Sequence, residues 1–266
     1  LSWPVDNVGE IARWRASADR VLSLYEDTWQ LDRDLRGSAT PRITRERSDE
    51  SRLRIADLCI AEPSGRILLE HFDADVGPGE RVLVAGDPSV TGGLFKVIGG
   101  LWPWGSGRVT LPIDGGLLFM PQRPYLPEGT LREALCYPQP ADGCTDAELR
   151  FALERVGLGS LLPRLGERDN WDQALPLRAQ QQLGFARALV QRPDWIFMEG
   201  ATDAFDPEGE QQILQMLHEA LPAATLLVIS FHPGLEPLHD RTLVLERVAE
   251  TKFLFEGRRA NGATDH

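Results

Sequence analysis

Lysine is nearly absent from this 266-residue chain, which restricts any chemistry that depends on an ammonium group. Lys96 and Lys252 are the only lysines among 28 basic residues. Acidic residues outnumber basic ones by 40 to 28, which gives a formal charge of −12. Proteins that bind nucleic acid or anionic membrane surfaces present a basic face. The composition therefore argues against nucleic-acid partners.

Cysteines and long apolar runs are also scarce. The three cysteines share no metal-ligand spacing and are too few for a disulfide scaffold, which indicates reduced cytosolic thiols. No run approaches the ~20 apolar residues that span a bilayer, and no signal peptide opens the chain. Because the sequence begins at Leu1 with an amphipathic segment, we expect it to be a piece of a longer polypeptide. Such a polypeptide is compatible with a membrane portion upstream of Leu1.

The first 52 residues differ in composition from the rest. Residues 36–52 are polar and highly charged and predict a linker, whereas residues 257–266 predict a disordered tail. Residues 1–35 predict a helix, which either packs on its own domain or contacts a domain outside the sequence. The apolar side chains of this helix lie at spacings that suit one stripe: Val8, Ile11, Trp14, Val21, Leu22, Tyr25 and Trp29.

Short apolar runs separated by Gly/Pro turns fill residues 53–256. Runs such as RVLVAG and TLLVIS lack alternation, which is typical of strands buried on both faces of a parallel sheet. Alternating helical patterns indicate an α/β fold with a largely parallel core sheet, and residues 53–76 predict an antiparallel addition. In the last helix, Glu208 and Glu210 are expected on the solvated face. The expected strands are 53–60, 67–76, 81–85, 117–120, 195–198, 225–229, 241–245 and 252–255. The expected helices are 92–101, 130–136, 146–156, 178–191 and 207–221.

One segment has the layout of a phosphate-binding loop. The strand RVLVAG runs into GDPSVTGG and then into the helical segment LFKVIGGLW. Backbone N–H groups in such a loop and at the helix N-terminus attract phosphate. The complete motif, G-x-x-x-x-G-K-[ST], also supplies a lysine and a hydroxyl. Taken alone this segment is a weak signal, and a plain turn is the simpler interpretation.

Neither register of the motif supplies its lysine. Counting from Gly86 places Gly92 at the lysine and Gly93 at the hydroxyl residue, whereas counting back from the helix places Thr91 at the lysine. Lys96 lies about 6 Å beyond Gly92 along the helix, and we expect it to point away from a phosphate. With both flanks aligned, the loop is one residue shorter than the motif.

Three further segments follow in a specific order. They are MPQRPYLPEGTLREALCYP, then WDQALPLRAQQQLGFARALVQRPDWIFMEGATDAFDPEGE, then TLLVISFHPGLEPLHDRTLVL. With GLWPWGSGRV they resemble the nucleotide-binding domain of an ABC transporter over residues 53–256. The resemblance is to the subfamily of bacterial antimicrobial-peptide and vitamin B12 importers and peroxisomal fatty-acyl transporters. It implies a P-loop NTPase-like cassette with a helical subdomain, and residues 1–35 resemble the end of the preceding membrane domain.

Several positions match the family pattern. Gln122 corresponds to the glutamine that meets Mg²⁺ and the attacking water, although a strand-end polar residue is the alternative. His232 corresponds to the histidine that contacts the γ-phosphate, with a surface histidine as the alternative. Asp206 corresponds to the loop that crosses the dimer interface, although Phe205 replaces the usual leucine. The nucleotide-contact candidates in the phosphate loop are Gly86, Ser89, Thr91, Gly92 and Gly93, and those elsewhere are Gln122, Arg178, Gln180 and Asp206.

The residues that would do the chemistry depart from the pattern. Glu199 stands at the Mg²⁺-binding aspartate and is able to hold Mg²⁺ through water, whereas Gly200 stands at the catalytic glutamate and has no side chain. In the signature L-S-x-G-[EQ]-Q, Pro176 and Arg178 replace the serine and glycine, and Gln180 keeps its position. No aromatic residue stands where adenine would stack.

We therefore expect an ABC transporter cassette that couples ATP to transport, with weak binding of ATP and Mg²⁺ and impaired hydrolysis. A pseudo-ATPase that serves as a dimerisation or regulatory module is one alternative, and a drifting or misread copy is another. The resemblance implies a membrane domain in the same full-length chain and a second cassette as homo- or heterodimer partner. It also implies a place on the cytoplasmic face of the inner membrane.

Overall fold

The computed structural model of the protein describes residues 8–37, 42–232 and 234–249. The chain divides into two compact units, Leu1–Pro41 and Arg42–His266. In the first unit, Val8–Gly37 form one long helix, α1, on which Trp14 and Tyr25 are exposed. Across the described residues, none of the helices has both the length and the apolar character needed to cross a bilayer.

The second unit contains strands and helices in alternation. Its strands are β1 Thr44–Ser48, β2 Leu53–Ala61, β3 Ile67–Val76, β4 Arg81–Gly86, β5 Gly105–Pro112, β6 Leu117–Pro121, β7 Gly129–Thr130, β8 Arg168–Asp169, β9 Trp195–Glu199, β10 Thr225–Ile229 and β11 Arg241–Leu245. Its α-helices are α2 Pro88–Gly99, α3 Leu131–Cys136, α4 Asp146–Arg155, α5 Trp171–Ala174, α6 Leu177–Gln191 and α7 Pro207–Ala220. The predicted strand 252–255 and tail 257–266 lie outside the described residues.

The core sheet is parallel, with strand order β11-β4-β10-β9-β6. Along β10 every residue is buried, because alternate side chains enter two different apolar cores. Helix α2 packs in the core on one face, and α3, α4, α6 and α7 contribute to the core on the other face. The predicted α/β fold with a two-sided parallel sheet is therefore confirmed. The carboxyl ends of these strands meet at one edge, where such sheets bind ligands.

The antiparallel addition is also confirmed, since β2 pairs antiparallel with both β3 and β5 in a sheet of order β1-β5-β2-β3. Strand β1 lies inside the predicted linker 36–52, so the linker prediction is corrected there. Its side chains are mostly exposed and show no apolar alternation. Two arginines anchor it instead: Arg45 Nε donates to the Ile98 carbonyl at 3.0 Å, and Arg47 Nη1 donates to the Pro112 carbonyl at 2.7 Å.

Candidate nucleotide site

Four of the predicted site residues lie at the carboxyl edge of the parallel sheet. Gly86 and Glu199 end β4 and β9, while Gln122 and His232 follow β6 and β10 closely. These four strands are neighbours or near neighbours in the sheet. The topology therefore brings residues that are far apart in sequence to one edge of the sheet.

The phosphate loop is capped by its own carboxylate. Helix α2 begins at Pro88, four residues before its predicted start, and Asp87 is its N-cap. The Asp87 carboxylate accepts the Ser89 N–H at 2.8 Å and also the Ser89 hydroxyl. The Ser89 hydroxyl, followed by the Ser89 and Val90 N–H groups, holds the pKa of Asp87 below its ordinary value. The N-terminus of the helix thus already holds an anion. The Asp-Pro pair is a helix-start signal that would have predicted this cap.

Three candidate contact residues lie inside α2 rather than in an open loop. Thr91, Gly92 and Gly93 are buried, and the Thr91 hydroxyl donates to the Asp87 carbonyl at 3.2 Å. Within an α-helix each N–H bonds to the carbonyl four residues earlier. The N–H groups of Gly92 and Gly93 therefore do not face a phosphate.

Glu199 lies against the helix at Gly92. A Cβ added to Gly92 would be 2.6 Å from Glu199 Oε1, so the longer acidic side chain uses space that the glycine leaves open. Burial raises the pKa of Glu199, the charge of Lys96 opposes this, and Asp203 adds to it. The Lys96 ammonium lies 5.4 Å from the centre of the Trp102 ring, which agrees with the expectation that it points away from the helix N-terminus.

Gln122 contacts a carboxylate that sequence reasoning missed. Its Nε2 donates to Asp203 Oδ2 at 2.7 Å. Gly200 has a φ of +62°, and a Cβ added there would be 2.9 Å from the same Asp203 oxygen. Asp203 stands three residues after Gly200 in the turn that follows β9, where its N–H donates to the Gly200 carbonyl. No local sequence pattern indicates this contact.

His232 is held by a buried glutamate. Glu210 has 0% exposure, and its Oε1 accepts the hydroxyls of Thr202 at 2.6 Å and Ser230 at 2.9 Å. Its Oε2 contacts His232 Nδ1, which fixes the orientation of the imidazole. The prediction of a solvated face is therefore wrong for Glu210, whereas Glu208 is exposed as predicted. Helical periodicity alone cannot predict that Ser230 and His232, from the loop after β10, contact Glu210.

The signature residues form a second group. The Arg178 guanidinium pairs with Asp206 Oδ1 at 3.3 Å and lies 4.8 Å from the centre of the Phe205 ring. Gln180 is buried and its Nε2 donates to the carbonyls of Asp172 and Leu175. Arg178 and Asp206 are therefore exposed together, while the Gln180 side chain has a structural role.

Two of these side chains carry oxygen atoms of the kind that bind Mg²⁺. The Glu199 carboxylate and the Gln122 amide offer oxygen ligands of the kind that Mg²⁺ prefers. Over the residues that the structure describes, no three His, Cys, Asp or Glu side chains are grouped to hold a metal ion, so the protein alone supplies few ligands. A triphosphate, in contrast, would compete with the Asp87 carboxylate, which already caps the N-terminus of helix α2.

A parallel sheet with a strand–loop–helix phosphate element, an antiparallel sheet and a helical layer define the class of ATP-binding cassettes. A search of protein-family models finds no match. Among curated proteins, the inner membrane ABC transporter ATP-binding protein YddA of Escherichia coli is 28% identical over 90% of this chain and 41% of its own length. The ABC transporter ATP-binding protein sll0182 of Synechocystis is 30% identical over 92% and 38%. The lysosomal cobalamin transporter ABCD4 of Mus musculus is 32% identical over 84% and 38%.

The solved structure of a bacterial Atm1-family ABC exporter with ATP bound matches the fold with a TM-score of 0.63, at 20% identity over 94% of this chain and 46% of that one. The chain is therefore a member of the ABC transporter ATP-binding family, as the order of its segments predicted. It spans about two fifths of the length of the curated relatives it matches.

Proposed function

We propose that this chain is the ATP-binding cassette of an ABC transporter whose own phosphate loop binds ATP weakly and supports little hydrolysis. The observation that carries the proposal is the Asp87 carboxylate on the N-terminus of α2. A triphosphate would have to displace this carboxylate to reach the same N–H groups. The phosphate loop also lacks the lysine that normally offsets the charge of the triphosphate.

The chemistry of hydrolysis is weakened independently of binding. Phosphoryl transfer to water depends on positioning and charge neutralisation. A single lost electrostatic contact costs about 10²-fold in rate, and losses within one site are not additive. Gln122, Glu199 and His232 are the proposed catalytic set, with Gln122 and Glu199 directed toward Mg²⁺. Gly200 contributes no side chain.

The greater length of the relatives supports a place in a larger transporter. We propose that residues 53–256, together with strand β1, form the cassette and that residues 1–35 continue from a membrane domain of the same full-length chain. A second cassette, identical or different, would complete the dimer on the cytoplasmic face of the membrane. The names of the relatives, which include inner-membrane and lysosomal transporters, support the membrane association.

A pseudo-ATPase module is the second candidate, and the contact between Arg178 and Asp206 favours it. The signature arginine is bound to the interface loop of its own chain, with Phe205 beneath it. A loop ordered in this way needs no nucleotide to present a dimerisation surface. Transport that survives mutation of Gln122 and His232 would support this candidate over a nucleotide-dependent one.

Titration of the 266-residue protein with fluorescent ATP, with and without Mg²⁺, tests the proposal. We expect saturable but weak binding, and slow phosphate release at saturating ATP. The variant Asp142→Asn, which changes an exposed carboxylate in the segment Ala141–Gly143, serves as the matched control. Tight binding together with hydrolysis at the rate of an ordinary transporter would refute weak binding and impaired hydrolysis.

A further inference from the structure

The space beside Gly200 is filled by another residue of the same turn. Gly200 adopts the left-handed conformation, with a φ of +62°, and a Cβ added there would meet Asp203 Oδ2 at 2.9 Å and Gln122 Cβ at 3.2 Å. The Asp203 carboxylate thus lies directly beside the position where a side chain of residue 200 would begin. Glycine at position 200 and aspartate at position 203 are sterically matched.

The Asp203 carboxylate also sets the orientation of the Gln122 amide. Since Gln122 Nε2 donates to Asp203 Oδ2 at 2.7 Å, the amide oxygen of Gln122 turns to the other side. Asp203 is exposed, so its second oxygen is accessible to water. The carboxylate is close enough to Glu199 to influence it electrostatically. One exposed carboxylate therefore contacts Gln122 directly and raises the pKa of Glu199 through its charge.

We propose that Asp203 holds and orients the attacking water in the residual hydrolysis of a nucleoside triphosphate at this site. The inference rests on the proposed function. The water oxygen forms a bond to the γ-phosphorus, and the bond from that phosphorus to the β–γ bridging oxygen breaks. The proton that the water loses passes to the released phosphate. Asp203 accepts a hydrogen bond from the water and keeps it directed at the phosphorus.

The variant Asp203→Asn separates this role from a structural one. Asparagine keeps an oxygen that accepts from Gln122 but loses the negative charge that orients water. We expect phosphate release at saturating ATP to fall about 10²-fold. The dissociation constant of fluorescent ATP should stay the same or decrease, because a negative charge near the phosphates is removed. Asp203→Glu should recover part of the rate, and Asp142→Asn should match wild type.

Each outcome decides one proposal. Wild-type rates in Asp203→Asn would overturn the role of Asp203, as would a parallel loss of binding and rate, which indicates a structural contact. Binding of ATP by the wild type without any hydrolysis would also overturn the role of Asp203, but it would leave the proposal of weak ATP binding intact. Absence of ATP binding in the wild type would instead refute nucleotide binding by the cassette. Thermal unfolding of each variant identifies any that fail to fold.

Discussion

Replacing Asp87 tests the self-capped phosphate loop directly. Its carboxylate accepts the Ser89 N–H at 2.8 Å, and a phosphate oxygen bound by that N–H would need the same position. Carboxylate and phosphate therefore compete for one donor and also repel each other. The variants Asp87→Asn and Asp87→Gly separate the two effects, because asparagine keeps the cap without the charge whereas glycine removes the side chain.

The expected gain in ATP affinity follows from the charges and the hydrogen bond. Two unit charges about 4 Å apart repel by about 4 kcal/mol at an effective dielectric constant of about 20, and by about 1 kcal/mol in bulk water. Asp87 is only partly buried, so the lower figure applies and Asp87→Asn should bind ATP roughly fivefold more tightly. Asp87→Gly also frees the Ser89 N–H, and a hydrogen bond to a charged group contributes about 1.5–3 kcal/mol, so we expect a further gain of about tenfold.

Both variants should retain the fold. Asparagine caps a helix about as well as aspartate, and glycine at this position costs only a few tenths of a kcal/mol. Fluorescence titration with labelled ATP measures the dissociation constants at low and high salt. Salt should reduce the gain of Asp87→Asn, since it screens the repulsion, and should leave the additional gain of Asp87→Gly. Equal dissociation constants for wild type and Asp87→Gly would refute the competition.

Three further predictions concern stability. Glu210→Ala should lower the free energy of unfolding by about 3 kcal/mol, because it leaves buried partners unpaired, whereas Glu208→Ala on the same helix should change it by less than about 0.5 kcal/mol in denaturant titrations. Gly92→Ser should cost about 1 kcal/mol through its contact with Glu199, and adding Glu199→Asp should recover it; additive losses in the double variant would exclude the contact. Burial, with smaller contributions from Arg81 and His239, lowers the pKa of His218 from 6.5 to about 4, so the unfolded chain takes up the proton first as pH falls between these values. Stability should therefore decline by about 1 kcal/mol more between pH 7 and pH 5.5 in wild type than in His218→Gln.

The sequence predicted the core sheet well because its strands are buried on both faces. The runs 225–229 and 241–245 match β10 and β11 residue for residue. Strand β5 was missed because glycines and a proline interrupt its apolar pattern. Strand β1 was missed because arginine contacts with backbone carbonyls, which leave no periodic signal, hold it in place.

The site was predicted only in part. The positions of Gln122, Glu199 and His232 follow from strand ends that share one edge of a parallel sheet. Their partners do not follow, because Asp203 lies in a turn and Glu210 meets His232 through the loop after β10, and neither geometry is periodic. The Asp87 cap does have a local signal, the Asp-Pro pair at the start of the helix. The phosphate-loop motif, however, places the start of the helix later, at its missing lysine.

The departures from the family pattern also support one another structurally. A serine at position 92 would collide with Glu199, and a side chain at position 200 would collide with Asp203, yet both positions hold glycine. The shortened phosphate loop, in turn, begins its helix with a well-capped Asp-Pro pair. A misread over residues 86–96 would have no reason to place a glycine at position 92, opposite the Glu199 carboxylate that lies outside that segment. The Gly92–Glu199 pair therefore argues against a misread of residues 86–96 and is consistent with the proposed cassette, whose phosphate loop is genuinely short.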